Sequence, residues 1–63
     1  MIKSKKIAPG IYDVTVNGRL FEVEQVTDGT WQLVEIVGSN RDYWNHFETK
    51  KSAMDAIKSE VLG

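Results

Sequence analysis

Apolar and polar residues alternate along residues 10–16 with the two-residue period of a β-strand. Tyr12, Val14 and Val16 lie on one side, and Asp13 and Thr15 lie on the other. The segments that follow, at residues 19–27 and 30–37, are bounded by turn signals and are interpreted as the next two strands. We therefore predict three consecutive strands in residues 10–37.

Short polar pairs separate the predicted strands. Asn17-Gly18 lies between the first two segments, and Asp28-Gly29 lies between the second and the third. Asn, Asp and Gly tolerate the positive φ angles of tight hairpin turns better than other residues. The pairs predict an antiparallel meander, in which each strand pairs with the next.

The Asn-Gly turn also predicts the register of the first hairpin. A two-residue loop places Val14 opposite Phe21, and it places Tyr12 opposite Val23. Residues that face each other across two strands share one side of the sheet. Together with Val16, these four side chains make an apolar face that needs to be covered.

The register of the third strand depends on the length of the second loop. A two-residue loop at Asp28-Gly29 adds Val34 and Ile36 to the apolar face, whereas a three-residue loop turns Trp31 and Leu33 inward instead. We predict the first register, because it continues the apolar face over three strands. The opposite, open face then carries both apolar and acidic side chains. Together with Trp44 of the following aromatic segment, these are the candidates for contact with a protein partner: Leu20, Glu22, Glu24, Trp31, Leu33, Glu35 and Trp44.

A helical period replaces the strand period after Thr49, which is a favourable N-cap residue. Ala53, Met54, Ile57 and Val61 recur at helical spacing and form one apolar stripe. One such helix covers one face of a small sheet. The predicted fold is a single α+β domain: a three-stranded antiparallel β-meander, or a four-stranded one, packed on one face by a single C-terminal helix (βββα).

The predicted organisation follows from these elements. The single domain spans residues 1–63, with a loose N-terminal arm at 1–9, the β-meander at 10–37, an aromatic loop or short edge strand at 38–48 and the helix at 49–62.

The amino-acid composition limits the kinds of chemical site that the chain can form. The 63 residues include no cysteine and only one histidine, His46, so neither a disulfide framework nor a zinc site of cysteine or histidine ligands is expected. Glu22, Glu24 and Glu35 are better explained as charges on a solvent-facing sheet than as an acid–base pair or a metal site. We predict no catalytic residues, no metal and no cofactor, and hence no enzyme.

The basic residues suggest an alternative function. The net charge of −1 excludes a strongly basic nucleic-acid binder. A basic arm, turn and helix start that converged on one edge would nevertheless bind phosphates. The residues of this DNA-binding alternative are Lys3, Lys5, Lys6, Arg19, Arg41, Lys50 and Lys51.

The entry to the helix carries a resemblance to known proteins. Phe47, Thr49, Ala53 and Ala56 resemble the helix entry of small phage-type proteins with three strands and a helix, whose function is not known. The same pattern is similar to apetala-type DNA-binding domains and to the arm-binding domains of phage integrases, and the strand order agrees over about fifty residues. The resemblance implies sheet-mediated reading of the major groove, but acidic residues on the open face here would repel phosphates.

The sequence therefore predicts a small non-enzymatic interaction protein, a phage or mobile-element accessory factor, that binds a protein partner through its open sheet face. No apolar run approaches the roughly 18 residues of a membrane span, so we expect a cytoplasmic protein without a membrane partner, in the host cytoplasm if it is encoded by a phage. We expect a monomer, or a homodimer paired through a sheet edge.

Overall fold

A computed structural model describes residues 2–63 of the chain. These residues form five strands and one helix, in the order β1 (Ile2–Ala8), β2 (Ile11–Val16), β3 (Arg19–Gln25), β4 (Trp31–Val37), β5 (Asn40–Phe47) and α1 (Lys50–Val61). Each strand pairs antiparallel with the next, so the spatial order of the sheet is the chain order. The predicted α+β class, the meander and the single C-terminal helix are confirmed for this part of the chain, with more strands than predicted.

The first additional strand is β1, which lies where a loose arm was predicted. Ile2 pairs with Val16 and Lys5 pairs with Asp13 along the outer side of β2. The prediction of a loose arm is therefore wrong for residues 2–8, while Met1 lies outside the described residues. An edge strand need not alternate strictly between apolar and polar residues, and lysines on an edge discourage pairing with other chains.

The second additional strand is β5, which forms the opposite edge of the sheet. Of the two alternatives for the aromatic segment, the edge strand is confirmed, and it runs over Asn40–Phe47. The strand contains a bulge at the point where its partner β4 passes from Leu33 to Val34. Trp44 is the extra residue of this bulge, because Asn45 pairs with Leu33 and Tyr43 pairs with Val34.

The first hairpin has the predicted turn and register. Asn17 and Gly18 both adopt positive φ angles, 50° and 78°, as a two-residue turn with the twist of the strands requires. Val14 pairs with Phe21, and Val16 pairs with Arg19.

The β3–β4 hairpin has the register of a three-residue loop, not the predicted register of a two-residue loop. The Val26 N–H donates to the Thr30 carbonyl over 2.9 Å, which closes a three-residue loop of Thr27, Asp28 and Gly29. Val23 therefore pairs with Leu33. The prediction of a two-residue loop is wrong because Asp28 stabilises the longer turn, its Oδ1 accepting hydrogen bonds from the backbone N–H and the hydroxyl of Thr30 at 2.9 and 2.7 Å.

The core lies between α1 and one face of the sheet. Its fully buried members are Val14, Val16, Phe21, Val23, Leu33, Ala53 and Ile57. The helix lies over β3, β4 and β5, and Ala53 and Ile57 are its buried residues. Thr49 caps the helix as predicted, because its Oγ1 accepts a hydrogen bond from the Ser52 backbone N–H over 3.1 Å. Val34 and Ile36 were predicted in this core but lie on the other side of the sheet.

Candidate partner-binding surface

The face of the sheet opposite α1 carries three cross-strand rows of side chains. We call this surface the open face. Its rows are Lys3, Thr15, Leu20, Ile36 and Arg41; Lys5, Asp13, Glu22, Val34 and Tyr43; and Ile11, Glu24, Gln32 and His46.

An aliphatic patch occupies the middle of the open face. Leu20 on β3 pairs with Ile36 on β4, and Val34 follows on the same side of β4. We call these three residues the aliphatic patch. Tyr43 adjoins it on β5, where it pairs with Val34, and Tyr43 is 51% exposed. Because no element of residues 2–63 covers this side of the sheet, Leu20 and Ile36 remain half-buried rather than buried.

An ion pair crosses above the aliphatic patch. The Arg41 guanidinium on β5 donates to the Glu22 carboxylate on β3, and β4 runs between these two strands. The pair therefore passes over the β4 side chains, which explains why Val34 is only 3% exposed on a face without a helix. Glu22 also raises the pKa of Arg41 above its ordinary value, mainly through this hydrogen bond.

Two further carboxylates lie beside the patch on the β2–β3 side. Asp13 stands directly opposite Glu22, and Glu24 is two residues further along β3. Like charges that face each other across a strand pair repel and reduce stability slightly. Among residues 2–63, neither Asp13 nor Glu24 forms an ion pair within 4 Å. Lys5 stands opposite Asp13 in the register of β1 and β2, but it forms no ion pair with it. This part of the open face therefore keeps negative charge available to a partner.

The structure divides the predicted partner-binding residues between two surfaces. Leu20, Glu22 and Glu24 lie on the open face, as predicted. The remaining predicted contacts lie on the helix side of the sheet: Trp31, Leu33, Glu35 and Trp44. The reversed register of β4 moves the first three of these, and the bulge in β5 directs Trp44 against the core.

Trp44 and Leu33 belong to the core region rather than to a binding surface. Leu33 is fully buried. The ring of Trp44 meets the ring of Phe21 edge to face, with centroids 5.1 Å apart and planes at 83°. Trp31 packs against the same core and against Tyr12, with ring centroids 6.1 Å apart. We therefore exclude these three side chains from the candidate surface.

Arg19 and Glu35 form a bidentate ion pair on the helix side. Arg19 Nε and Nη2 each donate to one Glu35 carboxylate oxygen over 2.9 Å. The Arg19 guanidinium carbon lies 5.3 Å from the centroid of the Phe21 ring and 5.7 Å from the Trp44 ring. The hydrogen bond from Arg19 lowers the pKa of Glu35 below its ordinary value of 4.5. The pair thus closes one end of the core.

Replacement of Glu35 by glutamine is expected to remove part of the acid sensitivity of folding. A carboxyl whose pKa is lowered in the folded state stabilises that state above its unfolded pKa, and this stability is lost as the pH falls through the lower, folded pKa. The wild type should therefore be more stable than Glu35→Gln at pH 7, and the difference should vanish as the pH falls well below 4.5. Urea unfolding at a series of pH values measures it. Glu48→Gln, at an exposed position, is the control, and a pH-independent difference for Glu35→Gln would contradict the ion-pair explanation.

The basic residues of the DNA-binding alternative do not form one surface. Lys3, Lys5 and Arg41 lie on the open face, whereas Lys6 and Arg19 lie on the helix side. Three of the seven are paired with carboxylates: Arg19 with Glu35, Arg41 with Glu22, and Lys51 with Asp55 over 3.0 Å. Lys50 Nζ lies 3.6 Å from the centroid of the Tyr12 ring. DNA binding through these residues stays a prediction. Their placement on both faces of the sheet does not favour one continuous phosphate-binding surface.

Within residues 2–63, no three His, Cys, Asp or Glu side chains are grouped so that they could hold a metal ion. His46 Nδ1 contacts the Tyr43 hydroxyl on the exposed side of β5. Hydrogen bonds from Thr30 lower the pKa of Asp28, so this carboxylate belongs to the β3–β4 turn.

The open face contains residues that sequence reasoning missed. Val34 and Ile36 were assigned to the core, and Tyr43 was assigned to no surface. The signal that would have found Val34 and Ile36 is Thr30, whose position two residues after Asp28 allows the side-chain hydrogen bonds that favour the longer loop.

Comparison of the chain with family models, with characterised proteins and with solved structures gave no match. The resemblance to phage-type proteins, and the origin that it implies, therefore stay predictions. Residues 2–63 include no helix that is both long enough and apolar enough to cross a bilayer.

Proposed function

We propose that this chain is a non-enzymatic protein-binding domain whose partner contacts the open face. The observation that carries the proposal is the aliphatic patch of Leu20, Val34 and Ile36, set among charged side chains on the side of the sheet that α1 leaves uncovered. Protein interfaces commonly have this composition, an apolar centre surrounded by a polar rim. Burial of Leu20 and Ile36 by a partner would supply the affinity, and the charges would supply specificity.

The other surfaces support this choice by comparison. The outer side of α1 carries Lys51, Asp55 and Lys58, and its apolar stripe is already directed into the core. The β1 edge has three lysines within four residues, which oppose the addition of an uncharged strand. The open face is thus a surface on which a partner can bury Leu20 and Ile36 without displacing α1.

Replacement of Ile36 by serine is expected to weaken partner binding by about threefold to tenfold without unfolding the domain. Full burial of an isoleucine side chain is worth about 1.5 to 3 kcal/mol, and because Ile36 is already half-buried, a partner adds about half of that. Tenfold in affinity corresponds to about 1.4 kcal/mol. The partner is first captured in the producing cells with a photo-crosslinking residue at position 36, and its affinity for the purified variants is then measured by calorimetry.

Val37→Ser is the matched control. Val37 is the next residue of β4, it is 53% exposed, and it points to the other side of the sheet. A crosslinker at Ser59 on the exposed side of α1 controls for non-specific capture. Equal capture at positions 36 and 59, or equal loss of affinity in Ile36→Ser and Val37→Ser, would contradict the proposed function.

A further inference from the structure

We infer that the segment that covers the open face is an amphipathic helix whose apolar stripe has basic side chains along one flank only. This inference rests on the proposed function and names the chemical class of the partner. It is carried by the order of side chains across the open face and by the way the sheet uses its backbone hydrogen bonds.

The backbone of the sheet decides the conformation of the partner segment. Strands β2, β3 and β4 each pair on both sides, so their N–H and C=O groups are engaged within the sheet. The open face therefore offers side chains rather than backbone partners. A segment that lies on it must satisfy its own backbone hydrogen bonds, which a helix does internally. The helix α1 solves the same problem on the opposite face.

The charges decide the composition of that segment. Across the open face, Lys3 and Lys5 lie on β1, the three carboxylates lie on β2 and β3, the aliphatic patch lies on β3 and β4, and Arg41 lies on β5. A helix seated on the patch along the strands opens the Arg41–Glu22 ion pair above it, and it then has carboxylates beside one flank and a guanidinium beside the other. Lysine or arginine fits the first flank, and neutral or acidic residues fit the second.

The unpaired carboxylates strengthen this assignment. Asp13 faces Glu22 directly, and only Glu22 has a guanidinium bonded to it. A cation that the partner places beside Asp13 and Glu24 would relieve the repulsion between neighbouring carboxylates. Binding of a basic flank therefore gains from a mild destabilisation that the free domain contains.

A second copy of the chain fits the same surface poorly. In a face-to-face dimer whose two-fold axis runs along β3, β3 of one copy lies over β3 of the other, which brings Glu22 and Glu24 against their own counterparts. Like charges in contact disfavour such a pairing. The charge order thus selects a different chain as the occupant.

The test uses three synthetic helical peptides of 14 residues in an NMR titration near physiological salt. The first has a leucine stripe with lysines on one flank, the second has glutamates in place of the lysines, and the third has the composition of the first in an order without a stripe. We expect the first to shift the resonances of Leu20, Val34 and Ile36 and to bind about tenfold more tightly than the second. The third peptide should bind more weakly than the first.

The carboxylates are tested with a pair of double variants. Asp13→Asn with Glu24→Gln should weaken binding of the lysine-flanked peptide about threefold to tenfold, while the exposed control pair Glu48→Gln with Glu60→Gln should leave it unchanged. Circular dichroism confirms the fold of each variant.

The outcomes separate this inference from the proposed function. Equal or tighter binding of the glutamate-flanked peptide at the aliphatic patch overturns the basic-partner inference and leaves the open face as the binding surface. Shifts that lie only on α1 or on β1 overturn both. No binding of any peptide overturns the inference alone, and the crosslinking experiment then decides the function. A parallel titration with a mixed-sequence DNA duplex that gives salt-sensitive shifts at Lys3, Lys6 and Lys50 would favour nucleic acid and overturn the inference.

Discussion

Replacement of Phe21 by alanine is expected to lower the free energy of unfolding by about 3 to 5 kcal/mol, the usual cost of removing a large buried aromatic side chain. Phe21 is fully buried at the centre of β3 and meets Trp44 edge to face. A domain of this length has about 3 to 9 kcal/mol of stability in total. The variant is therefore expected to lose a large share of its stability and to populate the unfolded state at 25 °C.

Urea unfolding followed by tryptophan fluorescence measures this loss, because Trp44 reports directly on contact with Phe21. Tyr43→Ala is the control, since Tyr43 is an aromatic residue on the neighbouring strand β5 that is 51% exposed. It should cost much less than Phe21→Ala. Equal losses in the two variants would mean that the core does not centre on Phe21.

Elements with strong local signals were predictable from the sequence. Asn17-Gly18 needs positive φ at both residues, and few other pairs supply it, so the first hairpin and its register follow from two letters. Thr49 and the apolar stripe likewise predict where α1 begins and which side it buries. In both cases one local interaction dominates the alternatives.

The two edge strands were harder to predict because tertiary pairing determines them. The β1 sequence, with lysines at positions 3, 5 and 6, has no apolar period, and it becomes a strand because β2 offers a free edge. Trp44 needs a bulge to turn toward the core, and the aromatic sequence around it does not specify one. Strand propensity depends on such neighbours more than helix propensity does.

Most of the error in the candidate surface has one physical reason, apart from the bulge that moves Trp44. One residue more in the loop at Asp28-Gly29 exchanges every side chain of β4 between the faces of the sheet. Leu20, Glu22 and Glu24 were placed correctly because their strand is fixed by the first turn. The apolar centre of the surface, Val34 and Ile36, was assigned to the core because its strand is fixed by the second.

Replacement of Leu33 by alanine should therefore cost far more stability than replacement of Ile36 by alanine. Leu33 is fully buried beneath α1, and large-to-small changes at such sites cost about 2 to 5 kcal/mol. Ile36 is half-buried on the open face, so its truncation removes about 1 kcal/mol of burial. A two-residue loop at Asp28-Gly29 requires the reverse order, since Ile36 would then be core and Leu33 exposed. Urea midpoints of the two variants decide between the registers.

The same comparison bears on function, because a residue can serve a partner only if the domain folds without its full side chain. A small loss for Ile36→Ala means that the Ile36→Ser binding measurement reports on the interface rather than on unfolding. A large loss for Ile36→Ala, with a small one for Leu33→Ala, would move the aliphatic patch into the core and leave Leu33 and Trp31 on the free side of the sheet. The stability order of these two variants of β4 thus determines which side of the sheet a partner can contact.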